Sequence, residues 1–305
     1  MNVYYEGKNI SKSVDVRKCI HTDVSGGRRD MLDIEFEYSD RWFDWQPQRD
    51  DRIQIELNGY TTGDMYVNTV LPEHGRYRII ATGAKSAARR KTWASYEDKN
   101  LNAIMATCAA ECGMQYGLYG IGGGNNYSYI MRENEDSMAF LDRLLMMEGG
   151  RLKCLNGKLR GIGIDYAQNQ SAMQTIKLVS TQMQARYIRR ADIKFSGLTV
   201  QTPYAKASAY DTAGTGGIHP VITMLPAMDN TQAGRWARGL LLTNNRTAEK
   251  LEINMEYNAG LTALARIDVE SSTDAAGQWI VDEVEHDFVL LKSRATLLRC
   301  ITSIR

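Results

Sequence analysis

Leu32-Asp-Ile-Glu-Phe-Glu-Tyr38 alternates apolar residues with carboxylates along its whole length. That period of two belongs to a strand with one buried face and one wet face. The pattern returns near the far end of the chain as Leu251-Glu-Ile-Asn-Met-Glu-Tyr257. Two further echoes follow in the same order. Arg52-Ile-Gln-Ile-Glu-Leu57 matches Arg266-Ile-Asp-Val-Glu-Ser271, and Gly63-Asp-Met-Tyr-Val-Asn-Thr-Val70 matches Gly277-Gln-Trp-Ile-Val-Asp-Glu-Val284. The offset is 219 residues for the first pair and 214 for the other two. Collinear matches at nearly constant offset, each keeping its alternation, indicate a duplicated β unit. Residues 31–85 and 245–303 are therefore expected to superpose strand for strand, with the difference in offset absorbed where Trp42–Pro47 has no counterpart. Three copies of such a chain would present six similar units in a ring, which suits an adaptor between a sixfold and a threefold partner.

The fold class expected is mostly β with an α/β insertion: two similar tube-like antiparallel β-barrels plus a small α/β module. Residues 1–85 are assigned to the first barrel, completed by strands drawn from 172–204. In 86–171, Leu101, Ile104, Met105, Cys108 and Cys112 share a helical face that ends at Gly113. A second helix is expected from an Asn134 N-cap, with Glu135 and Asp136 in its first turn, to Gly149-Gly150. Between them, Gly117–Asn126 reads as a glycine-rich loop, and a hairpin turns at Asn156-Gly157. Residues 205–244 read as a long loop, rich in Gly, Ala and Thr, followed by a helix near Thr231–Leu242. The second barrel is assigned to 245–305, with strands from 185–204.

Composition removes several classes of function. A net charge of +1 gives no global basic excess for coating DNA or a membrane surface. No apolar run reaches the roughly 18 residues of a membrane span, and Met1-Asn-Val-Tyr-Tyr5 is unlike a signal peptide, so no membrane binding is expected. Five scattered cysteines, an odd number, do not make a disulfide framework, and the protein is expected to be made in a reducing cytoplasm.

Each constellation that suggests chemistry has a plainer structural reading. Cys108 and Cys112 lie four apart on a helix, yet no second Cys/His cluster completes a zinc site, so they read as core. His21, His74, His219 and His286 are isolated. Gly120–Asn125 has the glycine content of a phosphate loop but lacks the Lys-Ser/Thr that follows one. Glu133, Asp136 and Glu148 could serve a glycosidase in principle, but helix-end electrostatics accounts for them. Lys85, Arg89, Arg90 and Lys91 form a basic cluster read as a solvated link between domains. No catalytic residue, cofactor or metal is assigned.

Arg132-Glu-Asn-Glu-Asp-Ser-Met-Ala-Phe-Leu-Asp-Arg-Leu-Leu-Met-Met-Glu-Gly149 resembles the R-E-S-D-x-x-F-L-x-R-L-x-x-E-G segment of the phage late control gene D proteins. The hub portion of type VI secretion spike proteins carries a similar segment. Here Asn134-Glu135 stands where the family has Ser, leaving one extra residue before Asp136. Ala81-Thr-Gly83, the basic stretch to Lys91, Leu101–Gly113 and Gly277–His286 follow the family's order, so the similarity runs from about residue 31 to 301. It implies a structural baseplate hub of a contractile tail, located in the virion tail baseplate and assembled in the bacterial host cytoplasm. In that family two tube-like barrels per chain form a homotrimeric, pseudo-sixfold ring. The partners implied are the tail tube protein, the central spike protein, the tape measure protein and neighbouring baseplate wedge proteins, with DNA only in passage. A tail-associated cell-wall hydrolase, and the hub of a phage-derived bacteriocin or secretion system, are the alternatives. Asp33, Glu35, Glu37, Glu252 and Glu256 lie on the polar faces of the echoed strands; they either line the central lumen or form outer solvated faces.

Overall fold

The computed structural model describes residues 1–37, 45–73, 75–178, 183–213 and 217–305. The N-terminal strands are β1 (Asn2–Tyr5), β2 (Lys8–Asn9), β3 (Val16–Val24), β4 (Met31–Glu37), β5 (Arg52–Leu57), β6 (Tyr60–Thr61), β7 (Met65–Glu73) and β8 (Arg76–Thr82). The module adds β9 (Thr92–Asn100), α1 (Leu101–Glu111), β10 (Gln115–Tyr119), β11 (Asn126–Glu135), α2 (Ser137–Met147), β12 (Gly150–Leu155), β13 (Lys158–Gly163) and α3 (Ile164–Asn169). Beyond it come β14 (Gln174–Lys177), β15 (Gln184–Arg189), β16 (Gly197–Gln201), β17 (Lys206–Tyr210), β18 (Val221–Ile222) and α4 (Asn230–Arg246). The chain ends with β19 (Glu249–Glu256), β20 (Arg266–Glu270), β21 (Gly277–Asp287) and β22 (Lys292–Arg299).

The fold is mostly β, with large antiparallel sheets and a small helical module. The two β units are halves of one 14-stranded sheet, joined where β3 pairs with β21. Each half curls around its own core. Leu32, Ile34, Phe36, Ile53, Ile55 and Ile79 fill the first, and Leu251, Ile253, Ile267, Trp279, Val281 and Leu297 the second.

The echo in sequence is an echo in hydrogen bonding. The first half runs β3-β4-β8-β7-β5-β1, and the second β15-β19-β22-β21-β20-β14. Ile53 faces Met65 across β5 and β7, while Ile267 faces Trp279 across β20 and β21, at the sequence offset of 214. A β-bulge, where one strand carries an extra residue, falls between Val67 and Thr69 in β7 and between Val281 and Glu283 in β21. These positions again differ by 214. Residues 38–51 join β4 to β5 and residues 257–265 join β19 to β20, a difference of five residues. Trp42–Asp44 lie outside the described residues; Trp45 stacks on Tyr77 and meets Tyr5 edge-on.

Several expectations need correction. Neither β14 nor β15 completes the first half, because β1 and β3 already flank β5 and β4; both later strands join the second half. The pairing of β14 with β20 is parallel, whereas that of β1 with β5 is antiparallel. The stretch from 205 is not all loop. Here β17 and β18 flank β16 in a separate three-stranded sheet, and the small residues that hid the strand pattern let α4 pack closely on it. Gly117 belongs to β10, parallel to β13, so the glycine-rich connection is shorter than read.

The second module helix starts later than expected. Asp136, not Asn134, is its N-cap, accepting from the Ala139 amide at 2.9 Å. Asn134 sits at φ 51° in β11, where the ladder with β9 shifts register between Arg132 and Glu135. A bulge thus sets one extra residue of β11 against β9 between Arg132 and Glu135. α1 ends as read, with Gly113 at φ 63°.

Candidate functional site

The sheet presents one continuous outward face, because cross-strand partners point the same way. One row crosses the junction of the halves through Gln184, Asn254, Arg294, Glu285, Thr22 and Met31. Asp33, Glu35 and Glu37 follow Met31 at alternate positions of β4, and Glu252 and Glu256 flank Asn254 in β19. All five carboxylates named from sequence therefore share this face.

Their charges are largely matched. Asp33 accepts from Arg78 Nε at 2.7 Å and from Lys18 Nζ at 2.6 Å. Burial alone would raise its pKa, but these hydrogen bonds hold it below the ordinary range. Glu37 meets Arg17 at 2.5 Å and Glu35 meets Arg76 at 3.6 Å. Glu252 lies 2.7 Å from Lys250 and 3.8 Å from Arg186, and a hydrogen bond from Lys250 lowers its pKa. Glu256 stands opposite Lys292 in the ladder. The acids are legible in sequence, and the alternation of their partners Arg76 and Arg78 along β8 is a signal of the same kind. Alternating charge gives this face a weaker net field than its carboxylates alone would.

At the junction His286 pairs with His21. His21 Nδ1 is 2.8 Å from the Tyr60 hydroxyl, and His286 lies 2.9 Å from both Ser293 Oγ and the Leu261 carbonyl. Burial lowers the pKa of both, His21 to about 3, so both are neutral structural groups inside the sheet. Beside them Lys153, from β12, is buried between Asp23 and Asp30 and binds both, with Asp30 Oδ2 at 2.7 Å. This cluster fastens the module to the first half.

Of the remaining acidic candidates, Glu133 is exposed, while Glu148 and Asp136 tie the module to its surroundings. Glu148 is almost fully buried, and its carboxylate accepts from Asn125 at 2.7 Å, Tyr127 at 3.0 Å, Arg235 Nε at 3.0 Å and Trp236 Nε1 at 2.9 Å. Arg132 is buried as well and donates to Glu111 at 2.6 Å and Ser137 at 2.9 Å. Asp136 caps α2 and pairs with Arg29 at 3.0 Å. Cys108 and Cys112 lie in the module core. Among the described residues no group of three or more His, Cys, Asp or Glu is placed to hold a metal ion. Among the described residues no helix is long and apolar enough to cross a membrane.

No family model and no curated protein matches the sequence. Solved structures do match the fold over nearly its whole length. The 43 kDa tail protein of prophage MuSo2 from Shewanella oneidensis aligns with a TM-score of 0.73 at 13% identity, covering 98% of this chain and 97% of that one. A tail protein from Neisseria meningitidis aligns with a TM-score of 0.74 at 11% identity, covering 98% and 95%. This is the fold of phage tail proteins. The same fold occurs in an Escherichia coli component of the type VI secretion system, described as similar to the T4 bacteriophage tail proteins gp27 and gp5. That chain aligns with a TM-score of 0.65 at 12% identity, covering 99% of this chain and 77% of that one.

Proposed function

We propose that the chain is a structural baseplate hub of a contractile tail: a homotrimeric, pseudo-sixfold adaptor between a hexameric tail tube and a trimeric central spike. The observation that carries the reading is the duplication, in which two half-sheets share strand order, register and bulge position within one chain. Three such chains offer six similar units to one partner and three identical chains to the other. The tail-protein fold supports a place in a tail or a related secretion particle. In this reading the chain meets the tube, the spike, the tape measure protein and baseplate wedge proteins, and contacts DNA only in passage. The face carrying Asp33, Glu35, Glu37, Glu252 and Glu256 lines the channel, and its matched charges limit adhesion of a phosphate backbone. The role is mechanical, with no reaction assigned to it.

Co-expression with a trimeric tail spike protein, followed by native mass measurement, tests the stoichiometry. The reading expects three copies of this chain per spike trimer. A complex holding one or six copies contradicts it.

A further inference from the structure

The junction inside the chain specifies how two chains would join. In β3·β21, Glu283 pairs with Val24, Val284 with Asp23, Glu285 with Thr22, His286 with His21 and Asp287 with Ile20. The matching segment of the first half is the far end of β7, Thr69–Glu73, shifted by the same 214 residues that relate the two bulges. The strand matching β3 is β15, because Cys19 pairs with Ile34 as Ala185 pairs with Ile253, and His21 with Leu32 as Tyr187 with Leu251. Among the described residues, β7 beyond Val67 pairs only with β8, and β15 pairs only with β19. The chain thus has one filled junction and the two separated halves of a second.

We propose that the outer edge of β7 in one chain pairs antiparallel with β15 of a second copy, repeating the β3·β21 register. This rests on the trimeric reading and adds the seam to it. Carried over residue by residue, the register sets Val70 opposite Arg189, Leu71 opposite Ile188, Pro72 opposite Tyr187 and Glu73 opposite Arg186. The side chains complement one another. Leu71 meets a β-branched aliphatic partner, proline meets an aromatic ring, and Glu73 meets an arginine whose side chain is 77% exposed in the single chain. Such cross-strand pairs are the units that stabilise a sheet. Pro72 has no N–H to give, so each seam lacks a ladder hydrogen bond there. A proline on an open edge also blunts pairing with unrelated strands.

Cysteine cross-linking in the full-length chain tests the register. The double variant Leu71→Cys with Ile188→Cys, concentrated and mildly oxidised, is expected to give covalent dimers and trimers on a non-reducing gel. An equal mixture of the two single variants is expected to stop at the dimer, and each single variant alone to give neither band. A trimer by light scattering that forms no cross-link overturns the seam while leaving the trimeric hub intact. A cross-linked ladder running past three chains supports the pairing but overturns the closed ring. Monomer throughout, with no cross-link at the highest concentration reached, overturns the seam.

Discussion

Lys153 shows how a single residue can join two parts of the molecule. It is an unremarkable lysine in sequence, flanked by Leu152 and Cys154, and nothing local reveals that Asp23 and Asp30 will close around it. Such pairings are unreadable from spacing because the partners lie more than a hundred residues away in the chain. Replacing Lys153 with Met would leave two buried carboxyls facing each other without a cation, and a loss of roughly 3–5 kcal/mol in unfolding free energy is expected. Burial already raises the Asp30 pKa to about 7. Without the ammonium nearby, the folded variant holds protons to higher pH than its unfolded chain. It therefore binds more protons than the unfolded state, and its deficit shrinks as pH falls from 8 towards 5. Urea unfolding of both proteins across that range checks the sign. A deficit that grows on acidification would contradict the assignment.

At the scale of elements, alternation made the echoed strands legible, and Leu and Ile repeat on the buried side of each. Periodicity also revealed the two module helices and α4, although the start of α2 was misplaced because Asn134 is as good a cap in sequence as Asp136. What composition concealed was β17: Lys206-Ala-Ser-Ala-Tyr210 alternates, but alanine and serine are too small to announce a buried face. Partner choice for β14 and β15 was not legible either, since register depends on which sheet edges are already filled. Packing between helices is equally hidden until the crossing is seen. A Cβ on Gly239 of α4 would stand 2.1 Å from the Met147 carbonyl oxygen and 2.5 Å from the Gly149 amide nitrogen, both backbone. Gly239→Ala should therefore cost about 1–3 kcal/mol, as overpacking does. Gly234→Ala in the same helix meets only the Ala207 methyl at 3.7 Å and should be neutral or gain up to about 1 kcal/mol from helix propensity. Chemical denaturation of the two variants checks this, and equal effects would mean that α4 does not cross α2 at Gly239.

For the whole molecule, the candidate site was partly legible. The carboxylates of the outward face were read from the strands, but apart from Lys250, on the same strand as Glu252, the arginines and lysines that neutralise them come from neighbouring strands and depend on register. The duplication was legible because it preserves alternation. The joining of its halves into one sheet was not, because β3 has no echo in sequence and is matched to β15 only through what each pairs with. The central claim is that the two halves serve as equivalent units of one ring. An electron cryomicroscopy map of the assembled particle at its hub tests it most directly. The account predicts three copies of the chain forming six β units around the axis. Seams within chains at β3·β21 should alternate with seams between chains at β7·β15. Six copies, a single copy, or halves lying at unequal radii without alternating seams would contradict it.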